Sequence, residues 1–301
     1  MMTSHFGELA ALSTALCWAF GSTFFTLGGS RIGSANVNRG RLVVAAIFLS
    51  ITHLIITGSF IPIGAAPERW FWLGLSGIVG FVIGDGMLFE AFVLMGPRLS
   101  MLMMSLVPIM SAILGWIFLR ETLSRLEILA ILVTVGGIIW VVADKRTSSP
   151  HIQGNKLAWG IAFGVGGALG QTFGLVLSKK GLEGGFPALS GNIIRVVCAV
   201  LVIWLITLLS GKARGAIKSY KDKKALLALS AGSFFGPFIG VWFSLVSIKY
   251  ARLGIATTLM SLTPIFLIPI TRVIFKEKIT FRAIAGTIIA IAGVAVLLLA
   301  G

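Results

Sequence analysis

Charged side chains are scarce in this chain of 301 residues. Asp, Glu, Lys and Arg make up only 12% of it, and 10 residues are acidic. A soluble domain typically has about 25% charged residues, so this shortage excludes an ordinary soluble protein. The remainder is strongly apolar, with 57% hydrophobic residues and a mean hydropathy of +1.00.

The apolar residues form long continuous runs and do not alternate with polar ones. About 20 apolar residues cross the hydrocarbon core of a bilayer as a helix, whereas a membrane barrel needs strands of alternating character. The sequence therefore predicts an all-α polytopic membrane protein.

The chain also has few residues that bind metals or form covalent links. It contains two cysteines and three histidines, and Cys17 and Cys198 lie inside apolar runs, where packing is the simplest interpretation. The sequence has no GxxxxGK[ST] loop, no metal-ligand cluster and no nucleophile with a catalytic partner. We expect no metal, no cofactor, no direct use of ATP and no enzymatic activity. The N-terminus lacks a basic stretch before its first apolar run, so no cleavable signal peptide is expected.

Basic residues outnumber acidic ones and give a formal net charge of +15. Most of the 25 Lys and Arg residues fall in short gaps between apolar runs, where they determine topology and contact anionic lipid. This distribution favours a lipid bilayer as the partner and argues against nucleic acid.

Ten membrane-spanning helices can be drawn through the apolar runs. They cover residues 9–27, 37–57, 70–94, 98–119, 126–143, 157–178, 188–209, 225–248, 253–275 and 282–300. A polar stretch at 144–156 separates five spans from five. We therefore predict two halves, 1–143 and 157–301, joined by a linker at 144–156.

The two halves share residues in the same order. SLVPIMSAILGWIFLRE (105–121) matches SLTPIFLIPITRVIFKE (261–277) at an offset of 156, and Gly137 and Gly293 follow in that register. The shared frame indicates that one half arose as a copy of the other.

A second match places an arginine at corresponding positions, because Asn38-x-x-Arg41 recurs as Asn192-x-x-Arg195 at an offset of 154. With five spans per copy, the second copy must enter the bilayer from the opposite side. The sequence thus predicts inverted repeats, which are common in secondary transporters with a substrate site between the halves.

Pro108 with the apolar stretch after it, Leu119-Arg120-Glu121 and a glycine-rich last span give each half a characteristic ending. In this the chain resembles the EamA-type branch of the drug/metabolite transporter superfamily, and the resemblance covers both halves. It implies a ten-helix fold and the export or exchange of small metabolites such as amino acids or drugs. Nucleotide-sugar and triose-phosphate translocators have a similar architecture, so the resemblance leaves the substrate open.

Charge and resemblance disagree about orientation. Seventeen Lys and Arg residues belong to the membrane side that carries the 144–156 and 211–224 gaps, and eight belong to the other side. The excess predicts that the richer side is cytoplasmic and that both termini are external. The resemblance implies that both termini are internal.

Two carboxylates occur inside the otherwise apolar third span. Asp85 lies about 15 Å from the end of this span, near the bilayer centre, where a carboxylate costs about 2.5–3.5 kcal/mol. It either binds a proton or a substrate amine, or it is a neutral, hydrogen-bonded structural carboxyl. We expect it to face a central cavity bounded by the first, third, sixth and eighth spans.

Glu90 lies five residues further on, about 140° around the helix and closer to the membrane surface. We predict that it pairs with Arg41 of the second span. Arg195, which corresponds to Arg41, has no such acidic partner in its own half. It could bind a backbone carbonyl, a lipid headgroup or an anionic substrate.

The remaining candidates are deep polar or aromatic residues and helix-breaking prolines. The predicted substrate-binding residues are Trp18, Ser22, Asp85, Phe89, Gln171, Phe238 and Trp242. The predicted gating residues are Pro108, Pro237 and Pro264. Asn38 and Asn192 are interpreted as helix caps.

Together these features predict a secondary transporter of a small organic metabolite, either an exporter or an exchanger, in the inner or plasma membrane. It would act as a monomer or homodimer by alternating access around a central cavity. An exchanger of organic anions or phosphorylated metabolites using Arg41 and Arg195 remains an alternative. A membrane scaffold without transport activity is a further one.

Overall fold

The computed structural model describes residues 5–142, 155–274 and 281–300, and this part of the chain is helical with no β-strand. The predicted linker at 144–156 lies outside the described residues except for its last two. Fourteen α-helices follow in chain order: α1 Phe6–Ile32, α2 Ser34–Thr57, α3 Pro67–Gly77, α4 Asp85–Met104, α5 Val107–Leu119, α6 Arg125–Val142, α7 Asn155–Gly181, α8 Ala188–Leu209, α9 Ala213–Ser219, α10 Lys223–Ser233, α11 Val241–Tyr250, α12 Leu253–Met260, α13 Thr263–Ile274 and α14 Phe281–Ala300.

Seven helical segments of the described chain are long and apolar enough to cross a membrane. They are Phe6–Ile32, Ser34–Thr57, Pro67–Ala91, Leu157–Gly181, Ala188–Leu209, Lys223–Tyr250 and Leu253–Ile270. Two shorter apolar helices are Val107–Leu119 and Ile284–Leu299. The structure is therefore that of a multi-pass helical membrane protein.

The predicted fourth and ninth spans are each interrupted by a two-residue turn. Residues 105–106 separate α4 from α5, and residues 261–262 separate α12 from α13. The turns are 156 residues apart, as the sequence match predicts. The predicted helix end near residue 94 is wrong, because α4 continues to Met104. A proline inside a membrane helix is tolerated where neighbouring groups satisfy the freed backbone, so Pro97 does not end it.

Two π-helical segments lie in the third and eighth predicted spans. Segment π1 (Ile78–Gly84) joins α3 to α4, and segment π2 (Phe234–Gly240) joins α10 to α11. These segments are also 156 residues apart. A π turn contains more residues per turn than an α turn and often marks a functional position. Asp85 is the first residue after π1 and Val241 is the first after π2.

The halves exchange contacts across the molecule. Helix α1 packs along α10, π2 and α11, while α7 packs along α3, π1 and α4. Glycines permit both approaches: an added β-carbon on Gly170 would lie 2.6 Å from Cα of Gly84, and one on Gly21 would lie 3.1 Å from N of Gly236. Small residues of this kind let membrane helices pack closely.

The last helices of the two halves also pair with each other. Helix α6 packs against α14, and an added β-carbon on Gly137 would lie 2.6 Å from N of Ala290. Gly293 lies against Thr134 in the same interface. The two glycines that correspond in sequence therefore line one contact between the halves.

Candidate functional site

A buried ion pair lies between α2 and α4. Arg41 Nη2 donates to Asp85 Oδ2, and the side chains are only 2% and 6% exposed. Arg41 Nε also donates to Asn38 Oδ1 at 2.8 Å. Charges inside a bilayer are costly and are retained where they pair with one another. This pair is thus the polar centre of the first half.

Gln171 of α7, in the second half, also binds the carboxylate of this ion pair. Its Nε2 donates to Asp85 Oδ1, so each carboxylate oxygen accepts one hydrogen bond. The contact is possible because Gly84 and Gly170, the neighbours of these residues, bring π1 and α7 together. Asp85 therefore connects α2, α4 and α7, which belong to both halves.

Aromatic rings surround the guanidinium of Arg41. Its Cζ lies 6.0 Å from the ring centre of Trp18, and 5.7 Å from those of Phe25 and Phe89. Such rings stabilise a cation through their negative faces. Sequence reasoning missed Phe25, although it follows Trp18 by seven residues, which places both on one face of α1.

The other predicted aromatic residues, Phe238 and Trp242, lie in the apolar core against which Trp18 also packs. Phe238 packs against Phe48 with ring centres 5.7 Å apart and against Trp242 at 6.2 Å. Ser22 donates to the carbonyl of Ala19 in its own helix. The structure thus brings Gln171 to Asp85, and Trp18 and Phe89 to its partner Arg41. No described contact links Phe238, Trp242 or Ser22 to this ion pair.

The predicted pair between Glu90 and Arg41 is wrong. Glu90 is exposed, and within the described ranges no ion pair involves it. Residues five apart on a helix point about 140° away from each other. Once Asp85 faces Arg41, Glu90 must face elsewhere.

Arg195 is buried without the partners that Arg41 has. It is 2% exposed, and its Nε and Nη1 have no hydrogen-bond partner in the part of the chain that the structure describes. Its Cζ lies 4.6 Å from the ring centre of Phe81. Asn192, one turn earlier, donates to the carbonyl of Pro237 at 3.1 Å, and its Oδ1 has no partner among these residues.

Neither asparagine acts as the expected helix cap. Helix α2 begins at Ser34 and α8 at Ala188, so Asn38 and Asn192 lie one turn inside their helices. Asn38 instead accepts from Arg41, and Asn192 donates to the carbonyls of Pro237 and Phe238 in π2.

The predicted gating prolines differ in position. Pro237 lies inside π2, where the wider turn accommodates the missing N–H donor. Pro108 lies in the first turn of α5, where no backbone N–H donor is needed. The prediction that it kinks a continuous span is therefore wrong. Pro264 is the second residue of α13, and its side chain lies outside the described residues.

Two further ion pairs join the halves at one end of the bundle. Glu121 pairs with Lys179 and accepts from N of Leu253 at 2.6 Å, and Glu127 pairs with Arg252. These contacts connect the α5–α6 segment to α7 and to the start of α12.

Glu127 has a second role at the start of α6. It accepts from N of Ser124 at 2.7 Å, while Ser124 Oγ accepts from N of Glu127 at 3.2 Å. This is a capping box. The pattern Ser-x-x-Glu was present in the sequence and could have predicted it.

Beside these ion pairs lies an open pocket of about 300 Å³. Phe118, Arg120, Glu121, Lys179 and Glu183 are among its lining residues, and none of the predicted substrate-binding residues is. The described residues hold no group of three or more His, Cys, Asp or Glu side chains that could bind a metal.

Comparison with known proteins now assigns the family. The sequence pattern of the EamA-like transporter family matches residues 5–143 and again residues 158–299. The chain belongs to this family. The resemblance seen in the sequence is thereby confirmed, and the family pattern covers both halves.

Two curated relatives share part of the chain. The threonine/homoserine exporters RhtA of Salmonella typhimurium strains SL1344 and LT2 are each 30% identical over 133 residues. The match covers 42% of this chain and 41% of each exporter. A solved crystal structure superposes with a TM-score of 0.80 at 14% identity, over 98% of this chain and 96% of that one, which shows a shared fold.

Proposed function

We propose that this EamA-like protein is a secondary transporter that exports or exchanges a small organic metabolite across the cell membrane. The observation that carries the proposal is the buried contact of Arg41, Asp85 and Gln171. Ionisable groups inside a membrane protein typically belong to a substrate or ion pathway. This one lies where both halves meet and next to the irregular backbone of π1, as transporter sites do.

The proposed architecture has ten membrane-spanning helices in two inverted five-helix repeats. The paired turns, the paired π segments and the reciprocal packing of α1 and α7 support it. Because α2, α4 and α7 meet at Asp85, relative movement of the halves would change its contacts. We propose that protonation or substrate binding at Asp85 couples to that movement.

The proposed substrates are amino acids or similar amphipathic solutes. The partial similarity to threonine/homoserine exporters supports this class, and the aromatic rings around Arg41 suit a solute with apolar surface. Liposomes containing the purified protein should accumulate labelled amino acids by counterflow. A protein that moves no solute in this assay would refute the proposal and favour a membrane scaffold.

Asp85→Asn tests the site within the same assay. The amide retains the shape of Asp85 and can form hydrogen bonds but cannot ionise, so we expect transport to be lost in protein that is still folded, with the assay run below the lowered melting temperature of the variant. Glu90→Gln is the matched control, because it neutralises an exposed carboxylate five residues away and should transport normally. Unchanged transport and pH dependence in Asp85→Asn would show that Asp85 is structural.

The proposed orientation follows the charge distribution, with both termini external. A cysteine introduced at Lys218, in the basic 211–224 segment, should then resist membrane-impermeant thiol reagents in intact cells. Labelling from outside would instead support the orientation that the family resemblance implies.

A further inference from the structure

Arg195 is a second buried cation, and it takes no part in the contact of Arg41, Asp85 and Gln171. A guanidinium carries five N–H donors, and unpaired buried charged donors are strongly unfavourable. Two of the three guanidinium nitrogens of Arg195, Nε and Nη1, have no partner in the described chain. The ring of Phe81 covers part of the guanidinium but accepts no conventional hydrogen bond from these groups.

The comparison with Arg41 shows what Arg195 lacks. The Nε of Arg41 donates to the asparagine three residues earlier, and its Nη2 donates to Asp85. The amide of Asn192 is instead engaged with π2, so Arg195 has neither contact. The position that follows π2 as Asp85 follows π1 is Val241, which offers no carboxylate.

The charges in this region do not balance. Arg41 and Arg195 are two buried cations, and among the described residues Asp85 forms an ion pair with Arg41 while no ion pair involves Arg195. The two oxygens of Asp85 already accept from Arg41 and Gln171. One positive charge therefore has no ion-pair partner within the part of the chain that the structure describes.

A carboxylate matches the unpaired donors of Arg195 in charge. The Nε–H and Nη1–H groups lie on different edges of the guanidinium, so one carboxylate would pair with one of these edges, through charge-assisted bonds that are short and strong. Asn192 adds an unpartnered acceptor, Oδ1, three residues from Arg195. Residues three apart lie on one helix face, so this oxygen could accept from an ammonium or hydroxyl group next to the carboxylate.

We propose that Arg195 binds the carboxylate of the transported solute, so that its substrates are small organic acids, with α-amino acids as the class that also satisfies Asn192. This inference rests on the proposed transport function. It adds a specific anchor and a chemical requirement, because solutes without a carboxylate should bind poorly.

The first experiment measures binding without transport. Purified wild-type protein is heated with L-threonine, L-phenylalanine, their carboxamides or inorganic phosphate, and the melting temperature is recorded. A ligand that binds the folded state raises it by mass action. We expect stabilisation by at least one amino acid and at least about tenfold weaker binding of its carboxamide. Equal binding of acid and amide, no stabilisation by either amino acid, or stabilisation by phosphate alone, would overturn the proposal.

The second experiment assigns the effect to Arg195. In Arg195→Gln the preference for the acid over its carboxamide should fall to about onefold, and Arg195→Lys should restore part of it because the charge returns without the planar fork. Arg214→Gln, which removes an exposed positive charge on α9, should keep the preference. A folded Arg195→Gln protein with the wild-type preference would refute the assignment.

The two proposals fail in distinguishable ways. If the wild-type protein moves no solute in liposomes but binds acids in preference to amides, the transport function fails and the carboxylate site stands. If it transports amino acids and their amides equally, the site fails and the transport function stands. Should Arg195→Gln not fold, the wild-type comparison and Arg195→Lys still decide the question.

Discussion

Removal of the charge on Asp85 should destabilise the protein strongly, because Arg41 would remain buried without a counter-charge. Both side chains are almost fully enclosed, at 2% and 6% exposure. Loss of one partner of a buried ion pair costs about 3–5 kcal/mol, most of it from the charge left behind. We therefore expect Asp85→Asn to lower the free energy of unfolding in detergent micelles by about that amount.

A double-mutant cycle separates the pair from the individual side chains. Arg41→Gln with Asp85→Asn removes both charges, so the double variant should be less destabilised than the sum of the two single variants. Contacting residues typically show a coupling of about 0.5–3 kcal/mol. Glu90→Gln should change stability by less than about 0.5 kcal/mol, as an exposed residue does.

Two results would refute this reasoning. One is an Asp85→Asn protein whose free energy of unfolding lies within about 1 kcal/mol of the wild-type value, since an enclosed arginine without a counter-charge should destabilise the protein by more than that. The other is additivity in the cycle, which would mean that the two charges do not interact in the folded protein.

Other contacts give further expectations. Gly170→Ala should cost about 1–3 kcal/mol because its β-carbon would meet the π1 backbone, whereas Gly136→Ala has open space and should be neutral in the same melts. Glu127→Ala removes both a capping box and the partner of the part-exposed Arg252, and should cost about 1–3 kcal/mol; an unchanged melting temperature would contradict this. The pKa of Asp222 is lowered by its hydrogen bonds to the start of α10 and by its arginine partner on α1. Its contribution to stability is thus present above the unfolded pKa and lost as the pH falls through the folded one, so Asp222→Asn should flatten the acid side of the stability profile.

The sequence predicted the membrane fold because its signal is local. Continuous apolar runs determine where helices can cross a bilayer. The match between 105–121 and 261–277 has an offset of 156, and the structure places two turns, which were not predicted, at that same offset. Gly137 and Gly293, which also match, lie in one interface between α6 and α14. Repeated short patterns therefore carried structural information that no single match could show.

The partner of Arg41 could not be predicted in the same way. The prediction measured depth from a helix end near residue 94, but α4 continues to Met104. Asp85 also follows a π segment, in which the usual spacing of 3.6 residues per turn does not hold. Helical phase counted from the start of the span is wrong beyond that point, so the choice between Asp85 and Glu90 needed the structure.

Which helices pack against each other could not be predicted from the sequence either. Gly84 and Gly170 each indicate a close approach, but glycine spacing does not say which helix approaches. That α7 packs along α3, π1 and α4, and thereby places Gln171 on Asp85, depends on how the halves are arranged. The residues around the site were therefore predicted individually, and their contacts were not.

The difference between the halves leads to a final prediction at Val241. If Val241 occupies the place beside Arg195 that Asp85 occupies beside Arg41, then Val241→Asp should supply the missing carboxylate. This variant should bind amino acids more weakly than the wild type, because its own carboxylate would compete for Arg195. Val241→Asn is the matched control of nearly equal size.

Stability distinguishes this outcome from simple damage to the core. An aspartate in an apolar environment is worse than an asparagine because its charge is desolvated, whereas an aspartate paired with Arg195 gains a charge-assisted hydrogen bond. We therefore expect Val241→Asp to melt above Val241→Asn. If it melts below, the carboxylate does not reach Arg195, and the correspondence between the two arginine sites does not extend to their surroundings.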